Sequence, residues 1–364
     1  MICSDLCSLI ESRFPLQLAE GYDNVGLLLG RSSREIRRVL IALEITPKVI
    51  SEAINREIDV IISHHPLIFK PLKKITDVSY IDSMVLSLIE NNIAVYSSHT
   101  NFDIANGGMN DLLCSKIGLS SIENMLICKR DKLLKVVVFV PKGHEEYVKS
   151  AMMDSGAGHI GEYSHCSFQI EGIGSFKPRD GANPYIGTKG IVEAVSEVKI
   201  ETIVLQEDLN RVLSNMIHVH PYEEVAYDIY PLENTIDYSI GRIGILKEEM
   251  KFHDFCNYIK DVFSLKNIIV SGDFTKNIKK VGVVGGSGSD LLDTALKKGC
   301  DCLITGDVKH HNALDFSNRG INIIDLTHYG SEIIFKEYFF DFLINNTSLE
   351  VFISNQEENP LNII

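Results

Sequence analysis

The chain has 364 residues, 45% of them hydrophobic and 23% charged, which is the composition of an ordinary globular protein. Its formal net charge of -14 argues against a nucleic-acid backbone as the main partner, because that contact requires clustered Lys and Arg. The length exceeds what one hydrophobic core usually supports, so two domains are expected.

The cysteine pattern and the first residues bear on the cellular compartment. The eight cysteines lack the C-x-x-C spacing of a zinc ribbon or redox motif, which favours a reducing cytoplasm. The first segment carries acidic side chains among apolar ones and lacks the basic start of a signal peptide. No apolar run approaches the length that spans a bilayer. We therefore expect a cytoplasmic protein with no membrane partner.

The first third of the chain alternates predicted strands and helices. Ser4 is expected to cap a helix with apolar residues on one face, and Thr46-Pro47 is expected to begin another. Further segments are strands at 39–43, 60–62 and 93–97 and a helix at about 79–91. Strands that alternate with helices predict a largely parallel sheet.

The pattern changes at about residue 130. The predicted elements are a strand at 133–140, a helix at 143–155, short strands and loops at 156–190, a strand at 199–205, a helix at about 207–219 and a strand at 224–230. This order is a double βαβ unit and predicts a ferredoxin-like α+β domain. We expect residues 130–240 to form a domain inserted between residues 1–129 and 241–364.

The last third returns to the α/β pattern. The predicted strands are 280–284, 302–305 and 321–325, and the predicted helices are 290–298, 313–317 and 329–343. The glycine-rich segment 285–289 lacks the third glycine of the dinucleotide fingerprint, so a tight structural turn is favoured over an anion-binding loop. The fold class is therefore α/β: a two-half lobe with a mainly parallel sheet, interrupted by an α+β domain.

Two adjacent histidines follow one buried strand. His64 and His65 come directly after the strand at 60–62, and Pro66 prevents the strand from continuing. Open α/β sheets place their chemistry at such carboxyl ends. Neighbouring side chains on an extended backbone point in different directions, so two adjacent ions could take one imidazole each more readily than one ion could take both.

Three other predicted strands end in polar clusters, which are the segments 98–103, 305–311 and 325–332. His328 and Glu332 are four residues apart at a helix start and therefore share one face. Nitrogen and oxygen donors without Cys suit Zn, Fe or Mn. A solvated surface pair or a histidine bonded to a turn carbonyl would explain any one cluster, but four together favour a dinuclear site. His220 and the segment 164–167 also mix ligand-type residues, and a structural role is favoured there over a second ligand site.

Taken together, these segments resemble a known family, the Nif-three-like dinuclear metal-site proteins that are often labelled GTP cyclohydrolase I type 2 homologues. The matching motifs are Tyr22–Leu27, Ser63–Pro66, Ser98–Asp103, Thr305–His311 and Thr327–Glu332. The segments 158–167 and 220–228 resemble the PII-like middle domain of the longer bacterial members. The resemblance covers nearly the whole chain.

The resemblance implies two divalent metal ions per chain and a ring-shaped homohexamer whose metal sites face an internal cavity. Its motifs assign the metal ligands to His64, His65, Asp103, His328 and Glu332. The carboxylate of Glu332 is suited to bridging the ions. Tyr22 and Glu44 stand where the family often has Trp and Asp. Neither position is a ligand position, so these departures concern local packing or pocket shape.

Two ions with few protein ligands leave coordination positions open for water, which predicts a metal-dependent hydrolase. His99 or His311 would then be a proton shuttle or a residue that supports the ligands. The family label suggests a nucleotide-like or phosphoester substrate such as GTP, although no residue identifies a guanine pocket. The alternative is a non-catalytic metal-handling or regulatory scaffold in which the PII-like insert senses a small ligand.

Overall fold

The computed structural model describes residues 1–161, 163–357 and 359–361, so Glu162 of the segment 158–167 lies outside the described residues. Contacts divide the chain into two units. The larger unit comprises Met1–Lys129 and Tyr238–Ile364, and the smaller unit comprises Arg130–Asp237. Within the described ranges, every helix is too short or too polar to cross a bilayer.

The first part of the larger unit alternates short strands with helices. Its elements are α1 (Cys3–Arg13), β1 (Gly26–Leu29), β2 (Arg38–Ala42), α2 (Pro47–Asn55), β3 (Val60–Ser63), α3 (Tyr80–Glu90), β4 (Ala94–Ser97), α4 (Thr100–Ile104) and α5 (Met109–Ile117), with a 3-10 turn at Leu16–Leu18. Strands β3 and β4 are buried at every position. Their Val, Ile, Ala and Tyr side chains suit a sheet that is covered on both faces.

Helix α2 begins as the sequence predicted. The side chain of Thr46 accepts a hydrogen bond from the Val49 N–H at 3.3 Å, and Pro47 occupies the first helical position. The buried face of the helix then packs against the first hydrophobic core through Val49, Ile50 and Ala53. The local signal and the packing agree, so this helix start could be read from the sequence.

Helix α1 does not begin at the predicted cap. Its N-cap is Ile2 instead of Ser4. The backbone N–H groups of Cys3 and Ser4 donate to the carbonyl oxygens of Arg34 and Ser32, each at 2.8 Å. These bonds satisfy donors that a hydroxyl cap would otherwise serve, so the hydroxyl is not needed.

The smaller unit includes the second part of strand β5 (Ser120–Pro141) and the first part of strand β8 (Tyr227–Lys251). Its other elements are α6 (Glu145–Asp154), β6 (Ser167–Phe176), β7 (Glu193–Leu205) and α7 (Leu209–Val219). Strand β7 pairs antiparallel with β5 on one side and with β6 on the other. Apolar residues of both helices cover this sheet, including Val148 and Met216.

The last part of the larger unit contains α8 (Phe252–Val262), β9 (Ile269–Ser271), β10 (Asn277–Ser287), α9 (Leu292–Lys297), β11 (Cys302–Gly306), α10 (His310–Asn318), β12 (Asn322–Asp325), α11 (His328–Glu332), α12 (Ile334–Asn346) and β13 (Glu350–Ile353), with a 3-10 turn at Ser289–Leu291. Two sequence expectations are corrected here. The predicted helix at 329–343 is divided at Ile333 into α11 and α12. The predicted glycine turn is the end of β10, which continues through Gly286 to Ser287 with a register shift against β11.

The described strands of the larger unit form two sheets, whereas the sequence predicted one mainly parallel sheet. The first has the order β1-β4-β3-β2-β13, with β1 antiparallel at one edge and the other strands parallel. In the second, the order within the larger unit is β5-β8-β10-β11-β12-β9, and β10, β11 and β12 run parallel to one another. Strand β8 is antiparallel to β10, and β9 is antiparallel to β12. The halves separate because β10 pairs with the long strand β8 and not with a strand of the first sheet.

Register places the polar clusters side by side within each sheet. Ser63 at the end of β3 is paired with Ser97 at the end of β4, and their hydroxyl oxygens are 2.8 Å apart. In the second sheet, Thr305 is paired with Asp325. Within each pair of neighbouring strands, the segments that follow therefore begin side by side.

Candidate metal centre

The imidazoles that follow β3 and β4 are each fixed through Nδ1. Nδ1 of His64 lies 2.9 Å from the carbonyl oxygen of Ser98, and because a carbonyl can only accept, Nδ1 carries the proton. Nδ1 of His99 lies 2.9 and 3.0 Å from the two carboxylate oxygens of Asp23. In both rings, Nε2 is the nitrogen left to accept a proton or a metal ion.

The two other imidazoles of the cluster have carboxylates beside Nδ1. Nδ1 of His328 and Oδ2 of Asp307 form a hydrogen bond of 2.7 Å. Nδ1 of His65 contacts Oε1 of Glu44 at 2.7 Å, although the two groups are out of line for a hydrogen bond. The Nε2 atoms of His65 and His328 are 3.3 Å apart. Two ring nitrogens at this distance need a proton or a cation between their lone pairs.

Glu332 presents its two carboxylate oxygens to different histidines. Oε1 lies 3.6 Å from Nε2 of His64. Oε2 lies 3.1 Å from Nε2 of His65 and 3.2 Å from Nε2 of His328. On the first side, Oδ1 of Asp103 is also 3.7 Å from Nε2 of His64. The carboxylate therefore stands between a His–Asp pair and a His–His pair.

Several ligand-type atoms of this cluster are buried without a hydrogen-bond partner among the described residues. They are Nε2 of His64, Oδ1 of Asp103 and Oε2 of Glu332. A buried polar atom without a partner is costly, so each such atom requires an explanation. Bound metal would give such atoms a partner, because imidazole and carboxylate are donors that Zn, Fe and Mn accept. In the described part of the chain, two groups have ligand atoms within 4.8 Å of one another: His64, His65 and His99 form one, and His65, His328 and Glu332 form the other.

A glycine makes room for the central carboxylate. Gly286 has a φ of +60°, and a Cβ at this position would overlap Oε1 of Glu332. Its N–H donates to Oγ of Ser331 at 3.0 Å, which fixes the start of α11 beside β10. The glycine-rich end of β10 thus has a role in the site, which the sequence alone assigned to a turn.

The pKa shifts reflect the contact between carboxylates and imidazoles. Burial would raise the pKa of Glu332, but the surrounding imidazoles outweigh it and hold that pKa well below its usual value. Burial lowers the pKa of His65, but the contact with Glu332 outweighs it and raises the pKa to about 10. Glu332 also raises the pKa of His328 to about 9. Burial raises the pKa of Asp103, which has fewer compensating contacts.

The structure brings the predicted ligands together at the ends of β3, β4 and β12. The converging residues are His64, His65, Asp103, His328 and Glu332. His99 lies beside them, with ring centroids 5.1 Å and 5.2 Å from those of His64 and His65. His311 is not part of this cluster. It is exposed at the start of α10, where its ring packs edge-on against that of His310 at 5.4 Å.

Sequence reasoning missed the carboxylates that hold the histidines. Asp23, Glu44 and Asp307 each contact one imidazole at Nδ1. Glu44 and Asp307 follow the ends of β2 and β11 within two residues, so acidic residues at strand ends were the available signal. Glu44, whose departure from the usual Asp was expected to affect pocket shape, contacts a predicted ligand directly.

A cavity of about 1210 Å³ opens beside the cluster within the larger unit. Glu44, His65 and His328 form the side of the cavity nearest the cluster, and Lys48 and Tyr80 are among its other lining residues. The volume exceeds that of ordinary small-molecule sites, so a nucleotide-sized ligand fits beside the imidazoles.

Comparisons with known proteins identify the family of the chain. The sequence profile of Duf34/NIF3 (NGG1p interacting factor 3) matches residues 1–360. The chain belongs to the DUF34/NIF3 family. A Bacillus subtilis relative named "GTP cyclohydrolase 1 type 2 homolog" is 41% identical over 99% of this chain and 98% of its own length. A Halalkalibacterium halodurans protein of the same name is 43% identical over 90% of this chain and 88% of its own length.

Solved structures of the DUF34/NIF3 family share the fold. A Bacillus cereus protein described as related to NIF3 superposes with a TM-score of 0.87 at 38% identity, covering 100% of this chain and 99% of that chain. A Staphylococcus aureus protein gives a TM-score of 0.75 at 30% identity with the same coverage. The mixed α/β architecture with its two sheets is therefore the NIF3 fold, and the family resemblance noted in the sequence is confirmed.

Proposed function

We propose that this protein is a metal-dependent hydrolase with two divalent ions per chain. The observation that carries the proposal is the position of Glu332, whose Oε1 faces His64 while its Oε2 faces His65 and His328. One ion would be held by His64, Asp103 and Glu332, and the other by His65, His328 and Glu332. Zn, Fe and Mn all suit this set of donors.

Divalent ions in this place supply Lewis acidity and lower the pKa of water, so a nucleophile is available at neutral pH. The side chains of the protein orient the reacting groups and exchange protons with them. Asp23 accepts from Nδ1 of His99, which leaves Nε2 to take a proton from water or return one to a leaving group. We therefore assign the shuttle to His99 and not to His311, which is exposed on α10.

The substrate class that we propose is a nucleotide-like or phosphoester compound. Two relatives carry the name "GTP cyclohydrolase 1 type 2 homolog". The cavity of about 1210 Å³ beside the cluster is large enough for a mononucleotide, and Lys48 in its wall offers a cation to a phosphate.

The hydrolase is tested by turnover in metal-loaded protein with nucleoside triphosphates and phosphoesters as substrates. Glu332→Gln is expected to lower turnover at least about 100-fold, because a neutral amide is a poor ligand for two ions. Glu337→Gln is the matched control, since this Glu lies on the neighbouring helix α12 and is exposed. Equal turnover in Glu332→Gln and wild type would refute the proposed centre.

The second candidate is a metal-handling or regulatory scaffold whose inserted domain, residues 130–240, is PII-like and senses a ligand. The order strand–helix–strand–strand–helix–strand in the smaller unit supports this candidate. Stoichiometric metal without turnover on any tested substrate would favour it over the hydrolase.

We also propose a homohexamer on the basis of the family resemblance. Light scattering on the protein as it elutes from a size-exclusion column would test this oligomeric state.

A further inference from the structure

The smaller unit contains a cavity of its own. Its volume is about 490 Å³, which lies in the range of small-molecule sites. One wall is formed by the segment 177–192 between β6 and β7, and the other by β7 and the residues that follow α7. A connection of this length without helix or strand in a compact unit is usually functional or a mobile linker. Here it is held at defined points.

The connection is tied to the rest of the unit at two places. Glu223 accepts a hydrogen bond from the Asn183 N–H at 2.7 Å. The hydroxyl of Tyr185 lies 3.2 Å from Nε2 of His144, and the two rings meet edge-on at 5.7 Å. These contacts hold the connection in a defined position, so the cavity wall is preorganised for a ligand.

Aromatic rings line the cavity. The ring of Tyr222 lies 6.0 Å from that of Phe176 and 6.3 Å from that of Tyr185. Tyr222 is fixed at both ends, because its N–H donates to Nδ1 of His220 and its hydroxyl donates to Glu197, each at 3.1 Å. The rings are tilted against one another at 60° and 52°, so they form a fixed aromatic lining on which a flat ligand can stack.

A carboxylate also lines the cavity. Oε1 of Glu197 accepts from the hydroxyl of Tyr222, and Oε2 has no hydrogen bond among the described residues. A Cβ at Gly174 would overlap Oε2, so this glycine makes room for the carboxylate. An oxygen with free lone pairs beside aromatic rings is a site for N–H donors of a heterocycle.

Two cations line the cavity. They are Lys177 and Arg179, and both are exposed. Three carboxylates line the same cavity, those of Glu197, Glu223 and Glu224, and Glu223 already accepts a hydrogen bond from the Asn183 N–H. The lining therefore combines aromatic rings, carboxylate acceptors and two cations, which suits a ligand with a flat base and an anionic group.

We propose that this cavity binds a purine nucleotide whose base edge carries N–H donors. The base stacks beside Tyr222 with its N–H groups toward Glu197, and the phosphate lies between Lys177 and Arg179. This site is separate from the metal centre and does not depend on the hydrolase proposal. A guanine base has N–H donors on adjacent ring and exocyclic nitrogens, whereas adenine has an acceptor next to its amino group, so Glu197 favours guanine.

The test is isothermal titration calorimetry on the full chain after treatment with a chelator. The probes are GMP, AMP, guanosine and choline, and choline tests whether the aromatic rings prefer an organic cation to a base. GMP is expected to bind at one site per chain and more tightly than AMP. Lys177→Ala combined with Arg179→Ala is expected to weaken GMP at least about 10-fold and guanosine less than about 2-fold, because only GMP carries the phosphate. The matched control is Lys73→Ala with Lys74→Ala, which are also exposed.

Glu197→Gln provides the second variant. The amide oxygen still accepts from the hydroxyl of Tyr222, so the fold is retained, while one acceptor for the base becomes a donor. GMP affinity is expected to fall more than AMP affinity. No saturable GMP binding up to about 1 mM, tighter binding of choline than of GMP, or equal weakening in the lysine control would overturn the proposal.

Glu332→Gln separates this site from the metal centre. The substitution is expected to leave GMP affinity unchanged within about 2-fold, because Glu332 lies in the larger unit. Loss of GMP binding in this variant would place the nucleotide at the metal centre and overturn the second site, while the hydrolase proposal would remain. Unchanged GMP binding in this variant, together with no turnover of any substrate by the wild type, would support the second site and refute the hydrolase proposal.

Discussion

At the scale of residues, the cluster is built from imidazoles that are engaged at Nδ1. A carbonyl holds His64, and carboxylates contact His65, His99 and His328. A carboxylate at Nδ1 fixes the tautomer and the ring orientation, and it makes Nε2 a stronger donor toward a cation. In the proposed centre, the groups at Nδ1 would therefore influence how well the imidazoles bind an ion.

Glu44 offers the sharpest test of this arrangement. Glu44→Ala removes the carboxylate beside Nδ1 of His65 and is expected to weaken metal binding about 10- to 100-fold, because its negative charge no longer strengthens this imidazole as a donor. Competition against a chelating dye at fixed pH measures the effect. Glu90→Ala, at an exposed position on α3, is the control and should leave affinity unchanged. Unchanged affinity in Glu44→Ala would show that the contact has no role in binding.

The residues of the cluster could be selected from the sequence because each strand end carries a local signal. An apolar run stops at His64 and His65, and a four-residue spacing joins His328 to Glu332. The partners at Nδ1 could not be predicted in this way. Asp23 meets His99 across 76 positions of sequence, and that pairing depends on how β1 and β4 are placed in the sheet.

At the scale of elements, helix α12 is tied to the end of the chain by a buried ion pair. Nζ of Lys336 donates to Glu357 and to the carbonyl oxygen of Ser354, each at 2.9 Å. The two charged side chains are 8% and 3% exposed. The carboxylate of Glu357 also accepts from the backbone N–H of Glu44. This contact links α12 to the residue that touches His65.

Lys336→Met is expected to destabilise the protein by about 3–5 kcal/mol, because the carboxylate of Glu357 would remain buried without its partner charge. Urea unfolding measures the change. The double variant with Glu357→Gln should recover a large part of the loss, since no buried charge remains unpaired. Lys116→Met, which removes a surface pair with Glu337 on the same helix, should cost no more than about 1 kcal/mol. A similar cost for both lysines would contradict the role of the buried pair.

The start of a helix could be predicted from the sequence where neighbouring residues determine it, and not where residues distant in sequence do. Thr46 and Pro47 begin α2 as expected, because cap and packing agree. Ser4 failed as a cap because Arg34, distant in sequence, accepts from the first backbone donor of α1. Lys336 could not be recognised as buried, since a lysine in a helix usually faces solvent.

At the scale of the whole molecule, the chain forms two units with separate cores. The expectation of one mainly parallel sheet in the larger unit was wrong, because strand pairing is set by long-range register that the order of elements does not specify. The alternation of helices and strands did predict the α/β class. The polar clusters that meet come from the ends of strands in two different sheets, whereas the sequence predicted that one sheet would carry them.

The smaller unit is expected to lose stability in acid through His220. Burial lowers the pKa of this imidazole from the usual 6.5, and the neutral ring accepts from the Tyr222 N–H at Nδ1 while Nε2 donates to the carbonyl oxygen of Phe139. Below about pH 6.5 the unfolded chain binds a proton that the folded unit does not, so stability falls as pH decreases.

Amide exchange in β5 and β7 at about pH 7.5 and pH 5.5, corrected for intrinsic exchange, measures this effect within the smaller unit. His220→Asn should flatten the pH dependence, because its amide does not titrate. His253→Asn is the control, since His253 is exposed on α8. An unchanged pH slope in His220→Asn would exclude this histidine as the titrating group.

The central claim is that Glu332 stands between two metal ions, and metal content tests it most directly. Protein saturated with Zn, Mn or Fe(II) and freed of loose ions is analysed by plasma mass spectrometry against protein concentration. We expect two ions per chain in the wild type, at most one in Glu332→Gln, and two in the control Glu337→Gln. A saturated wild-type protein with one ion or fewer per chain would contradict the dinuclear centre.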